Sequence, residues 1–296
     1  GFPAPLSLTL GAIAAATAPA ATLMVVRQYH AKGEVTSTLL PVVAMDDAVG
    51  LMLFSISLPI SQALASNAAL TVTSMLLQPL LEIVLSLAVG AGIGLLIALA
   101  MRFFHSKVNR ISVAVAAVLL GSALASIWNL SSLLLCMAIG AVLVNLRKDA
   151  DELLEITDAW TPPLFMLFFV LSGAELDLAV VPTVGLLGVV YMVARSLGKY
   201  FGSFLGATIA KSSPNIRKYL GLTLLPQAGV AIGMAQVALN ALPEYGTQIQ
   251  AVVLTATLIY ELIGPVITKL ALTAAGEIQD SKKSKAKTEQ SAGGAK

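Results

Sequence analysis

Nine apolar runs, most of them about 20 residues long and divided by short polar stretches, constrain this chain more than any other feature. They cover residues 6–26, 36–62, 79–101, 110–126, 129–146, 161–176, 180–209, 215–240 and 246–271. An α-helix rises 1.5 Å per residue, so about 20 residues cross a hydrocarbon layer of about 30 Å. Inside that layer a chain must satisfy its own backbone polar groups, and runs of this length do so as helices. The shorter runs, 110–126 and 161–176, are accommodated by tilt or local thinning at their ends. Composition agrees: 57% of the residues are apolar and 11% charged, with mean hydropathy +0.87, whereas about a quarter of a soluble domain is charged. The expected fold class is an all-α polytopic membrane protein.

The lysines and arginines orient the runs, because loops rich in them stay on the cytoplasmic side. Arg27 and Lys32 follow the first run, Arg102, Lys107 and Arg110 the third, Arg147 and Lys148 the fifth, and Lys211, Arg217 and Lys218 the seventh. Lys269 and the tail lysines follow the ninth. All 18 cations except Arg195 and Lys199 therefore share one side. This predicts a multi-pass protein of the cell (inner) membrane with a cytoplasmic C-terminus.

Residues 1–272 form the membrane domain, and 273–296, rich in Lys, Ser, Gly and Gln, form a disordered basic tail. Anionic headgroups would attract that tail by about 1 kcal/mol per lysine near the surface. The start, Gly1-Phe2-Pro3-Ala4-Pro5, has neither Met nor a basic signal region, as expected of a piece of a longer chain. Cys136, within an apolar run, reads as a small packing residue, and His30 and His105 as solvated loop residues. No constellation for enzymatic catalysis, for a cofactor or for nucleic acid is present in the pattern.

Against this background the ionisable groups inside the runs carry the chemistry, since each costs about 2.5–3.5 kcal/mol on insertion scales. Asp46 and Asp47 lie in the middle of the second run. Arg195 and Lys199, four residues apart in the seventh, share one helix face, and a mid-membrane carboxylate partner is expected for them. Adjacent residues differ by about 100° around a helix, so one aspartate faces such a cation while the other faces a cavity. Protons and a small cation would compete for the same oxygens, and the two carboxyls titrate as a unit. Glu261 satisfies Arg195 or the backbone at Gly264-Pro265 in a structural reading, with direct ion binding as the alternative. Glu82, Glu175 and Asp177 lie near outer span ends and read as solvated or funnel-lining.

Two runs also carry breaks. Around Thr17-Ala18-Pro19, a stretch of small residues meets a proline that cannot donate to the carbonyl one turn earlier. Thr17 then offers a hydroxyl and the break offers freed carbonyls to an ion. Pro226, Gln227 and Gly229 repeat the device in the eighth run. Each broken run precedes a run bearing acid: Asp46-Asp47 after the first, Glu261 after the eighth. Corresponding breaks of this kind point to an inverted-repeat transporter with its site at the repeat interface.

Taken in order, Thr17-Ala18-Pro19, Asp46-Asp47, Phe168-Phe169 through Gly173-Ala174-Glu175-Leu176-Asp177-Leu178, Arg195 to Lys199 and Pro226-Gln227-Ala228-Gly229 resemble the monovalent cation:proton antiporters, most closely the CPA2-type sodium/proton exchangers. The resemblance implies an inverted-repeat antiporter fold with two broken crossing helices, of which about nine spans of a typical thirteen would be present. It implies a core bundle at about 6–62 and 180–272, linker and scaffold helices at about 79–176, and a homodimer of the full-length protein. By position, Asp47 would bind Na+ or Li+ and protons, with Thr17 supplying oxygen nearby. Asp46 would pair with Lys199 in the cation-free state, with Arg195 as the alternative partner. Ala18 stands where related exchangers carry an acid, which removes one ligand. The double aspartate resembles the electrogenic group.

The expected function is electrogenic Na+(Li+)/H+ antiport with alternating access, the partners being monovalent cations, protons and the bilayer. A K+/H+ antiporter or K+ efflux channel, and a Na+-coupled organic-anion symporter of similar fold, are the alternatives.

Overall fold

The computed structural model describes residues 2–66, 77–104, 106–174 and 185–278. The expectations for His105, Glu175, Asp177 and the tail lysines lie outside the described residues. The described residues form helices and no strand: α1 (Ala4–Ile13), α2 (Pro19–Gln28), α3 (Glu34–Ala65), α4 (Gln78–Ala100), α5 (Lys107–Trp128), α6 (Ser132–Leu146), α7 (Ala150–Ala174), α8 (Gly185–Ile209), α9 (Pro214–Thr223), α10 (Gly229–Ala241) and α11 (Gly246–Ala274). The first apolar run is α1 and α2 with a break between them, and the eighth is α9 and α10. Among the described residues α3, α4, α5 and α11 are long and apolar enough to cross a membrane. Polarity is turned inward, as a lipid solvent requires. Leu119, Ile127, Leu186 and Leu262 are exposed, whereas Thr9, Ser61, Gln227 and Thr268 are buried.

The largest difference from the expected limits is α7, which starts at Ala150 rather than near 161. Its first turns carry Glu152, Glu155 and Asp158 beside Leu153 and Leu154, an amphipathic extension that hydropathy alone does not register.

The helices group into two compact units, one of Gly1–Ala12 and Leu51–Asp177, the other of Ile13–Gly50 and Leu178–Lys296, each taken over its described residues. In the first, α4 and α6 approach closely because Gly90 has no side chain. A Cβ there would strike the Leu135 carbonyl oxygen and stand 2.8 Å from Ala138 Cβ. Ile93, Ile97, Leu135, Ile139 and Leu143 fill the core of this unit. Ser131 caps α6 and donates its own amide to Ser86 Oγ at 3.0 Å. Arg110, which read as a loop cation, is instead 6% exposed and paired with Asp149 at 2.9 Å and Glu152 at 2.8 Å. Hydrogen bonding from Arg147 holds Asp149 well below the usual carboxylate range, at about 2. The stability this lends is present above the ordinary carboxylate value and is lost as pH falls through about 2.

In the second unit α11 packs on α2, α8, α9 and α10. Val25, Val35, Leu39, Val43, Leu220 and Leu272 form the core. The tail expected to be disordered from residue 273 is corrected at its start, because α11 continues to Ala274 and Glu277 is 8% exposed. Its carboxylate accepts from the Val35 amide at 2.6 Å, the Thr36 amide at 2.8 Å and the Thr36 hydroxyl at 2.7 Å. The first turn of α3 has N–H groups without helical acceptors, and Glu277 supplies one from the far end of the chain. Glu277→Ala is expected to cost about 1 kcal/mol, read as a lower melting temperature in detergent. Glu277→Gln, which keeps an acceptor, should lose less.

Candidate ion-binding site

The site is built where the two breaks meet within the second unit. Pro19 occupies the first turn of α2, and the residue before it, Ala18, is extended at φ −81° and ψ 106°, as a pre-proline residue prefers. Leu224 to Ala228 separates α9 from α10. The Ala18 amide donates to the Pro226 carbonyl at 2.9 Å, so one break satisfies the other. Thr22 Oγ1 lies 3.3 Å from the Thr223 carbonyl.

One face of α8, recurring every four residues through Tyr191, Arg195 and Lys199, supplies the remaining partners. Arg195 is 3% exposed and donates to four carbonyls: Ala14 at 3.2 Å and Ala16 at 2.8 Å from the first break, Leu225 at 2.6 Å and Pro226 at 3.3 Å from the second. Its guanidinium carbon lies 4.5 Å from the centroid of the Tyr260 ring. Tyr260 is fixed in turn, donating to the Met192 carbonyl at 2.7 Å. Gln227 is fully buried and donates to the Ile13 carbonyl at 3.3 Å and to the Tyr191 hydroxyl at 2.8 Å.

Lys199 reaches the aspartates. Its ammonium donates to the Ala15 carbonyl, to Thr17 Oγ1 at 2.8 Å and to Asp46 Oδ2 at 2.5 Å. Thr17 is also hydrogen-bonded to Asp46 and lies 3.3 Å from the Leu224 carbonyl. Asp47, half-buried beside this group, has Oδ1 buried with no hydrogen-bond partner. The ammonium thus sits among a carbonyl, a hydroxyl and a carboxylate, the hard oxygen donors that suit a small cation.

The residues expected from sequence separate into two groups. Thr17, Asp46, Asp47 and Lys199 come together with Ala18, Pro19, Pro226 and Gln227 around them, and Gly229 opens α10. Among the described residues Arg195 does not pair with a carboxylate, and four of its five N–H groups go to carbonyls exposed by the two breaks. Glu261 satisfies no part of Arg195, and its Oε1 is buried with no partner. Tyr191 escaped the sequence reading. Its signal is the four-residue step back from Arg195, which an aromatic on any lipid-facing helix would also give.

The chain matches the family model described as sodium/hydrogen exchanger, transmembrane, over residues 1–274. Among solved structures it is similar to the sodium proton antiporter MjNhaP1 from Methanocaldococcus jannaschii at pH 8, with TM-score 0.70 and 21% identity. That match covers 94% of this chain and 72% of the other, and at such identity it bears on the fold. No curated protein matches.

Proposed function

The chain belongs to the sodium/hydrogen exchanger family of membrane cation/proton antiporters, and we propose that it exchanges sodium or lithium for protons electrogenically at Asp47 and Asp46. The observation that carries this reading is the ammonium of Lys199 held by the Ala15 carbonyl, Thr17 Oγ1 and Asp46 Oδ2. In the proton-loaded state Lys199 pairs with Asp46 while Asp47 holds a proton. The arriving cation takes the same oxygens together with Asp47, and both Asp47 and Lys199 release their protons. More protons than cations then cross in each cycle, which is what makes the exchange electrogenic.

Alternating access, a homodimer and a cytoplasmic C-terminus belong to the same reading. So does an inverted repeat, which the element order supports: α1 and α2, like α9 and α10, are a broken helix followed by a helix bearing acid, Asp46-Asp47 or Glu261. Vesicles containing the protein should lose a preset proton gradient when sodium is added, and a gradient that persists refutes the reading.

Lys199 separates electrogenic from electroneutral exchange. Lys199→Gln keeps a donor for the Ala15 carbonyl and Thr17 but cannot release a proton. Exchange in this variant is expected to continue and to lose its response to a membrane potential clamped with potassium and valinomycin. A response that survives would assign the extra charge to another group.

A further inference from the structure

A second set of oxygens on α11 is left unused by the site at the breaks. Thr257 Oγ1, Glu261 Oε1 and Thr268 Oγ1 are buried and have no hydrogen-bond partner among the described residues. Thr257 is 4% exposed and Thr268 0%. A buried threonine on a helix ordinarily returns its hydroxyl to the carbonyl four residues earlier. The buried Thr9 of α1 does so onto Pro5 at 2.9 Å, and the more exposed Thr273 of α11 onto Lys269 at 2.8 Å. Thr257 and Thr268 do not.

At 3.6 residues per turn, Thr257, Glu261 and Thr268 lie within about 40° of one another around the helix axis. Gly264, about 20° from Thr257 on the same reckoning, stands against the second break, where a Cβ would lie 2.8 Å from Pro226 Cγ, whereas Tyr260, against Arg195, is about 100° from Glu261.

The cations nearby are engaged elsewhere. Arg195 and Lys199 hold the breaks and Asp46, and α10 carries no charged residue. On α9, Arg217 donates to the Ser212 carbonyl and Lys218 lies over the Tyr219 ring. Arg27 sits in the last turn of α2, and Lys269 of α11 itself lies over Tyr29. An ionised carboxylate in the membrane without a partner costs about 2.5–3.5 kcal/mol, and a proton or a bound cation removes that cost.

We propose that Glu261 and Thr257, one turn apart on the same face of α11, form a second station for the monovalent cation, with a proton on Glu261 when the cation is absent. Its donors, a carboxylate and a hydroxyl, are two of the types found around Lys199. The proposal rests on the antiport reading only for the identity of the cation.

Dicyclohexylcarbodiimide tests it. A protonated carboxyl in apolar surroundings adds across the reagent: the O–H proton goes to one nitrogen, the oxygen bonds the central carbon, and the acyl group then shifts to the other nitrogen as a stable N-acylurea. The purified protein in proteoliposomes is treated and Glu261 is followed by peptide mass spectrometry. Glu261 is expected to be modified, and sodium at twice its half-protecting concentration should slow modification about threefold relative to choline.

The same protection is expected in Asp47→Asn. Thr257→Val, which keeps the shape and removes the oxygen, should raise the half-protecting sodium concentration several-fold. No modification of Glu261, equal rates in sodium and choline, or protection that vanishes in Asp47→Asn overturns the station. A protein that shows this protection yet moves no protons in response to sodium refutes the antiport reading and leaves the station standing.

Discussion

Asp47→Asn is expected to lower sodium-driven proton movement by at least about 100-fold, the factor that corresponds to about 2.7 kcal/mol. The amide has the shape of the carboxyl but neither binds a transported proton nor supplies a charged oxygen to sodium. Asp47 makes this a sharp test because its Oδ1 has no hydrogen-bond partner, so the substitution breaks no bond to that atom. The variant should therefore be as stable as the parent while losing exchange, measured as fluorescence recovery of a pH dye in proteoliposomes. Asp46→Asn differs, since it leaves the Lys199 ammonium buried without its counter-charge. Asp46 accepts from both Lys199 and Thr17 in a part-buried pair, so lost exchange there would be confounded with a disturbed break. Unchanged transport by Asp47→Asn would sink the assignment.

Arg195→Leu should give the largest loss of stability of any substitution in the second unit. Four carbonyls from the two breaks accept from this guanidinium, and each buried acceptor left unpaired costs about 1–3 kcal/mol. Allowing for relaxation and shared donors, a loss on the order of 5 kcal/mol is expected. Little monodisperse protein should survive extraction into detergent, and what survives should melt at a much lower temperature. Arg195→Lys keeps the charge but presents a compact ammonium that cannot reach both breaks as a planar fork does. It should fall between the parent and Arg195→Leu. A near-parental melting temperature for Arg195→Leu would mean that the guanidinium does not hold the breaks together.

The breaks were legible in the sequence because proline announces itself: Pro19 and Pro226 each lack an N–H wherever they stand. The charge pairing was legible only up to a choice. Residues four apart share a face, so helix phase cannot say whether Arg195 or Lys199 meets Asp46. That choice is made by carbonyls that come from residues 14–16 and 225–226, and only the folded breaks bring these to Arg195. For Glu261 the sequence offers Arg195, the backbone at Gly264-Pro265 or an ion as partner, and the first is excluded because the guanidinium finds its partners in the backbone and in the Tyr260 ring. The start of α7 was hidden by its own acids. Glu277, one acid in a polar stretch rich in lysine, carried no local sign that its partners lie at Val35 and Thr36.

That distance along the chain bears on how the protein is made. The Val35 amide and the Glu277 carboxylate are 242 residues apart. At about 5–20 residues per second, a ribosome needs on the order of 10–50 s to travel between them. Throughout that interval the helix bearing Asp46 and Asp47 has no acceptor from Glu277 at its first turn. A nascent chain arrested before Glu277 should expose that turn to a protease, and the protection should appear abruptly once Glu277 has left the exit tunnel.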